Sequence, residues 1–232
     1  MTDGPLIVQS DKTMLLEVDH PDSVACRKAI APFAELERAP EHIHTYRLTP
    51  LGLWNARAAG HDAESVVDTL IRFSRYPVPN ALLIDVAETM SRYGRLQINT
   101  DPANGLILQA IDVAVLEEVL KSKKVAPLLG TRIDENTVAV HPSERGHLKQ
   151  ALVKLGWPAE DVAGYVDGER HAISLKTDWN AREYQIQAAD GFWHGGSGVV
   201  VLPCGAGKTL VGALAMYRAQ ATTLILVTNT VS

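Results

Sequence analysis

The sequence predicts an α/β chain, with helices and short antiparallel hairpins mixed over residues 1–178 and the start of a parallel-sheet unit in the remainder. Three observations lead there. Apolar residues alternate in short runs bounded by turn formers; other stretches carry them at helical spacing; and near the end one apolar run passes through a glycine-rich loop into a helix and a second apolar run.

Taken in order, residues 6–9 and 14–18 flank the polar stretch Ser10, Asp11, Lys12, Thr13 and read as a hairpin. Apolar positions between 20 and 38 predict a helix, interrupted at Pro32. Residues 43–48 alternate like a strand; Pro50 then opens a helix that Gly60 closes. Asp62 caps the next helix, with Val66, Val67, Leu70 and Ile71 on its apolar face and Pro77 and Pro79 forbidding its continuation. Residues 80–92 place Leu83, Ile84, Ala87 and Met90 on one helical face before Gly94. A second hairpin is expected over 95–99 and 106–110, then a helix capped by Asp112 whose end is basic at Lys121, Lys123 and Lys124, as suits a helix dipole. A small β-α unit follows: a strand at 137–140 and a helix capped by Ser143, bearing Leu148 and Leu152 and ended by Gly156. Residues 164–178 read as a weak strand and linker.

Composition narrows the class of protein. At 232 residues, 46% hydrophobic and 21% charged, the chain can bury a core and is long enough for one domain and part of another. Its apolar runs fall far short of the ~20 residues needed to cross a bilayer, so no membrane association is expected. Cys26 and Cys204 are too few and too far apart for a disulfide framework, which points to a reducing cytoplasm. Lys and Arg number 10 against 17 Asp and Glu in residues 1–120, and 12 against 10 in residues 121–232. The acidic first part repels a phosphate backbone and is expected to face solvent or a protein partner; whatever DNA binding the chain has is expected in the second part, weak and salt-dependent. His42 and His44 share a strand face without a third ligand, so no protein-held metal centre is expected.

The most informative stretch lies near the end. The buried-strand pattern of residues 198–202 runs into Pro203, Cys204, Gly205, Ala206, Gly207, Lys208 and Thr209, then a mostly apolar helix and a further strand at 224–227. That is the context a phosphate-binding loop requires. Glycines let backbone N–H groups curl around an anion, and the helix N-terminus adds its positive dipole end. Lys208 supplies a mobile cation for β- and γ-phosphates, and Thr209 a hydroxyl for Mg²⁺. The usual glycine five places before Gly207 is Leu202 here. Cys204 is read as a small residue that fits the loop rather than as a nucleophile, for want of a base.

With Leu-Pro-Cys-Gly-Ala-Gly-Lys-Thr-Leu-Val-Gly at 202–212, the sequence resembles the XPB family of superfamily 2 DNA helicases. Arg182, Glu183, Tyr184 and Gln185 resemble the family's adenine-recognising segment, which implies an adenine contact for Gln185 and a nucleotide-site position for Arg182. Residues 226–232 resemble the opening of the next motif, implying DNA-phosphate contacts from Thr228, Asn229 and Thr230. Residues 42–49 resemble part of the family's N-terminal domain, and 136–167 its small unit associated with damage recognition. Three domains are thereby expected: 1–124, a mixed α/β domain; 125–178, the damage-recognition-like unit and linker; and 179–232, the start of a RecA-like domain.

The resemblance implies an ATP- and Mg-dependent 3'-5' DNA translocase of nucleotide excision repair. The metal-binding Asp-Glu-x-His box and the arginines of a second RecA-like domain do not occur within these residues, so the chain is expected to bind nucleotide without hydrolysing it. Two strands that normally lie between 199–202 and 224–227 are also absent, so these two runs are expected to pack incompletely or to self-associate through open sheet edges. The alternative reading is a non-catalytic module, over residues 1–178, that docks a protein or recognises damaged DNA.

Overall fold

The computed structural model describes residues 3–176, 180–195 and 198–227, and the chain divides into two compact units, Met1–Gly164 and Tyr165–Ser232. Both helices and sheets are present, as an α/β chain requires.

The first unit begins with the expected hairpin, β1 (Leu6–Val8) and β2 (Thr13–Glu17), whose turn is held by the Asp11 carboxylate accepting from the Thr13 N–H at 3.0 Å. α1 (Ser23–Ile30) stops before Pro32, and the second half of the helix expected over 20–38 is instead a strand, β3 (Ala34–Arg38). The charged residues there solvate an edge strand, which pairs with β4 (Ile43–Leu48) on one side only. The sheet order is β1-β2-β4-β3, antiparallel throughout. α2 (Pro50–Ala58) is capped by Thr49, and α3 (Ala63–Phe73) by Asp62, which accepts from the Ser65 N–H at 2.8 Å.

The inward faces of α3 and α4 (Asn80–Ser91) differ from expectation. Val66, Leu70 and Phe73 are buried on α3 while Ile71 faces solvent; on α4 the buried set is Leu82, Val86 and Met90, with Ile84 and Ala87 exposed. In a helix apolar on more than one side, spacing permits several faces, and contact with α2 and α3 selects the one that is buried. These side chains form a core with Leu6, Met14, Leu16, Leu48, Cys26 and Ile30. Burial there pushes the Cys26 thiol up to about 12, so it is inert.

A second sheet follows, of order β7-β8-β6-β5-β9. Its strands are β5 (Leu96–Asp101), β6 (Gly105–Ala110), β7 (Leu129–Arg132), β8 (Thr137–Val140) and β9 (Ala159–Asp161). The boundary expected between residues 124 and 125 runs through this sheet, because β6 pairs with β8. Between β6 and β7 lies α5 (Val113–Lys121); between β8 and β9 lies α6 (Arg145–Leu155). Leu96, Ile98, Leu108, Leu116, Val119, Val138, Leu148 and Leu152 make the second core.

Two expected caps are absent. The Asp112 carboxylate accepts from Arg95 at 3.1 Å instead of capping α5, and Ser143 sits in a 3-10 turn ahead of α6, its N–H donating to His141. A charged donor outcompetes a backbone N–H for a carboxylate. β9 is fastened to α6 by Asp161, whose side chain is 9% exposed and accepts from Arg145 at 2.6 and 3.0 Å and from Lys149 at 3.0 Å.

In the second unit, α7 (Glu183–Gly195) and α8 (Lys208–Ala219) pack around Ala189, Val211 and Leu214. The Arg218–Asp190 ion pair joins them. Residues 169–173 run beside 220–222: the His171 N–H donates to Gln220 O, and the Gln220 side-chain amide both accepts from and donates to the Ile173 backbone. The strands expected at 198–202 and 224–227 do not form; Val199 is 89% and Leu226 84% exposed. No strand among the described residues lies alongside either run, and a strand apolar on both faces is buried only between neighbours. No described helix is long and apolar enough to cross a membrane.

Burial alone would raise the Asp161 carboxyl, but hydrogen bonds from Arg145 and Lys149 outweigh it and hold the group below the ordinary value. Because the folded state lowers this pKa, its stabilisation is fully present above the ordinary Asp range near pH 4 and is lost as pH falls through the folded value. Asp161→Asn should therefore destabilise the first unit by about 2 kcal/mol at pH 7. Denaturant unfolding should show the gap from wild type narrowing below about pH 4.

Candidate phosphate-binding site

The loop from Pro203 to Gly207 enters α8 through two left-handed positions. Gly205 and Gly207 both lie at φ +77°, a conformation that side-chain-bearing residues reach only with strain. Ala206 between them closes the bend, its N–H donating to Pro203 O at 3.3 Å. Gly207 serves a second purpose. A Cβ at that position would sit 2.6 Å from Gln185 Nε2, so the absence of a side chain leaves room for the Gln185 amide against the loop.

The approach is made by the first turn of α7. Gln185 is 3% exposed and uses both ends of its amide: Oε1 accepts from the Arg182 N–H at 3.0 Å, and Nε2 donates to Ala206 O at 2.9 Å. The half-buried Tyr184 hydroxyl donates to the same Ala206 oxygen at 2.8 Å. Arg182 lies beside this hydroxyl, with Nη1 at 3.5 Å from it.

On the α8 side, Lys208 curls back so that Nζ donates to Pro203 O at 2.9 Å. Among the described residues, the N–H groups of Gly205, Gly207, Lys208 and Thr209 have no hydrogen-bond partner, and neither has the Thr209 hydroxyl. Unpaired N–H groups beside a lysine at a helix N-terminus attract an anion, because donors, dipole and cation all favour negative charge. The donor set thus fits a nucleotide phosphate with its Mg²⁺. Cys204 is exposed in the loop.

Arg182, Gln185, Pro203, Cys204, Gly205, Ala206, Gly207, Lys208 and Thr209 therefore lie on two neighbouring segments of the second unit. Thr228, Asn229, Thr230 and Trp179 fall outside the described residues. Tyr184, to which the sequence reading assigned no site role, is the addition. Its sequence signal is its place within the 182–185 segment that resembles the adenine-recognising motif. A cavity of about 330 Å³ beside α7, lined by Ala188, Phe192, Val200 and Leu202 among others, is apolar at these positions and does not include the loop.

Comparison with known proteins places the chain among helicases. The family described as helicase conserved C-terminal domain matches residues 6–134, all in the first unit and all outside the phosphate loop. A protein of Kineococcus radiotolerans named DNA 3'-5' helicase XPB is 77% identical over the whole chain, which spans 42% of that relative's length. The protein of the same name in Mycobacterium tuberculosis is 72% identical, again over the whole chain and 42% of the relative. In Saccharomyces cerevisiae, the general transcription and DNA repair factor IIH helicase/translocase subunit XPB/SSL2 is 23% identical over 97% of the chain and 34% of its own length.

Substituting Gly207 should open the site from within. Gly207→Ala places a Cβ against Gln185 and strains the φ +77° position, at a cost of about 1–2 kcal/mol. The Leu210 and Val211 amides, which donate to Gly207 O, should then exchange with solvent about tenfold faster. Hydrogen exchange measured by NMR checks this.

Proposed function

We propose, from the premise that this chain belongs to the helicase family whose conserved domain it matches over residues 6–134, that it is the nucleotide-binding portion of an ATP-dependent 3'-5' DNA translocase of nucleotide excision repair. The observation that carries the reading is the loop at 203–209, with two left-handed glycines, unpaired N–H groups and Lys208 at the start of α8.

In this reading the loop N–H groups hold the phosphates and orient them. Lys208 leaves Pro203 O and moves its ammonium to the β- and γ-phosphate oxygens, exchanging a neutral acceptor for a charged one. The Thr209 hydroxyl would hold Mg²⁺, which supplies charge neutralisation at those phosphates when bound. Gln185 would recognise the adenine edge, and Arg182, whose N–H it already holds, would lie at the same nucleotide site. Thr228, Asn229 and Thr230 would touch DNA phosphates. The two free cysteines suit a cytoplasmic home.

A second reading is favoured by where the family match falls. Residues 6–134 lie in the first unit, whose two sheets and two cores are complete, and that region carries the chain's excess of acid. We assign to it the docking of a protein partner.

Titration of the chain with fluorescent ATP and Mg²⁺ tests the first reading. Lys208→Ala should weaken ATP binding at least about tenfold, the loss of a charge-assisted contact. Equal affinities in the two proteins would rule the reading out.

A further inference from the structure

We propose that Tyr184 is the positioning residue of the phosphate loop, holding the Ala206 peptide in the orientation that turns the Gly207 N–H toward an incoming phosphate. The inference rests on the nucleotide reading of that loop.

A carbonyl oxygen has two lone pairs, and both of those on Ala206 are used: one accepts from Tyr184 Oη at 2.8 Å, the other from Gln185 Nε2 at 2.9 Å. In a planar trans peptide, the carbonyl of one residue and the N–H of the next point in opposite directions. Anchoring Ala206 O to α7 therefore fixes the Gly207 N–H on the side away from α7, where it is without a partner among the described residues. The two glycines at φ +77° on either side of Ala206 make this peptide unit easy to rotate. An external anchor is needed for the same reason that the loop can bend at all.

The two donors are not equivalent. Gln185 is also bonded to the Arg182 N–H and is the residue proposed for the adenine, so a bound base competes with the loop for its amide. Tyr184 has a single polar atom, and a phenol moves about only two side-chain torsions. When Gln185 turns to the base, Tyr184 alone retains the carbonyl. The loop keeps its phosphate-ready form through base binding.

The experiment uses the 232-residue chain, its Tyr184→Phe variant and its Lys208→Ala variant, titrated by NMR with ATP plus Mg²⁺ and, separately, with adenosine. The expected result is that Tyr184→Phe weakens ATP about three- to tenfold, the span of one neutral hydrogen bond, and leaves adenosine unchanged. The Gly207 amide resonance of this variant should be displaced before any nucleotide is added. Unchanged ATP affinity, or an equal loss for ATP and adenosine, overturns the role of Tyr184. If wild type and Lys208→Ala bind ATP alike, the nucleotide reading falls and this inference with it. If Lys208→Ala is impaired and Tyr184→Phe is not, only the tyrosine's part is lost.

Discussion

Backbone N–H and C=O groups must find partners wherever they leave water, and in this chain that requirement separates what is buried from what is not. In the first unit every strand lies in a sheet with at least one neighbour. The edge at β1 is continued by Ser74 and Arg75, whose backbone meets Leu6, and the charged β3 tolerates solvent along its open side. Satisfied strands can turn their apolar faces inward, and two cores result, one spanning Leu6 to Met90 and the other Leu96 to Leu152. In the second unit the same requirement has the opposite outcome. The runs at 198–202 and 224–227 are as apolar as the strands of the first unit, yet no strand is described beside them and most of their side chains stay exposed.

The phosphate loop does not depend on a sheet. Its shape comes from two glycines in a left-handed conformation and from hydrogen bonds supplied by α7, and α7 is held to α8 by Ala189, Val211, Leu214 and an ion pair. A helix pair with a small core can therefore hold the 203–207 bend while the apolar runs at 198–202 and 224–227 form no strand. Hydrogen bonds inside helices close locally, whereas those of strands need a distant partner.

Family membership and the chemical site occupy different parts of the chain. The match over 6–134 lies within the first unit; the loop lies in the second. The XPB relatives run through both, at 77% and 72% identity over the whole chain, and the chain spans less than half their length. Electrostatics follow the same division. The excess of acid falls in the first unit, with 17 Lys and Arg against 22 Asp and Glu, while the second unit, which holds the loop and its lysine, is balanced at 5 against 5, and a phosphate group is better tolerated there.

The sequence by itself determined the features that close within a few residues. The β1–β2 hairpin, the start of α2 at Pro50, the cap at Asp62, the left-handed Gly156 after α6 and the loop from Pro203 to Thr209 all rest on short-range geometry. Tertiary structure decided whatever depended on competition between distant partners. Residues 34–38 became a strand because β4 was there to pair with them, and Asp112 gave up its cap to Arg95. α4 buried Val86 rather than Ile84 because the neighbouring helices chose its face, and a chain split expected at residue 124 became one sheet because β6 found β8. Tyr184 acquired its place at Ala206 in the same way: the two residues are 22 apart in the chain, and only the packing of α7 against α8 brings a phenol to that carbonyl.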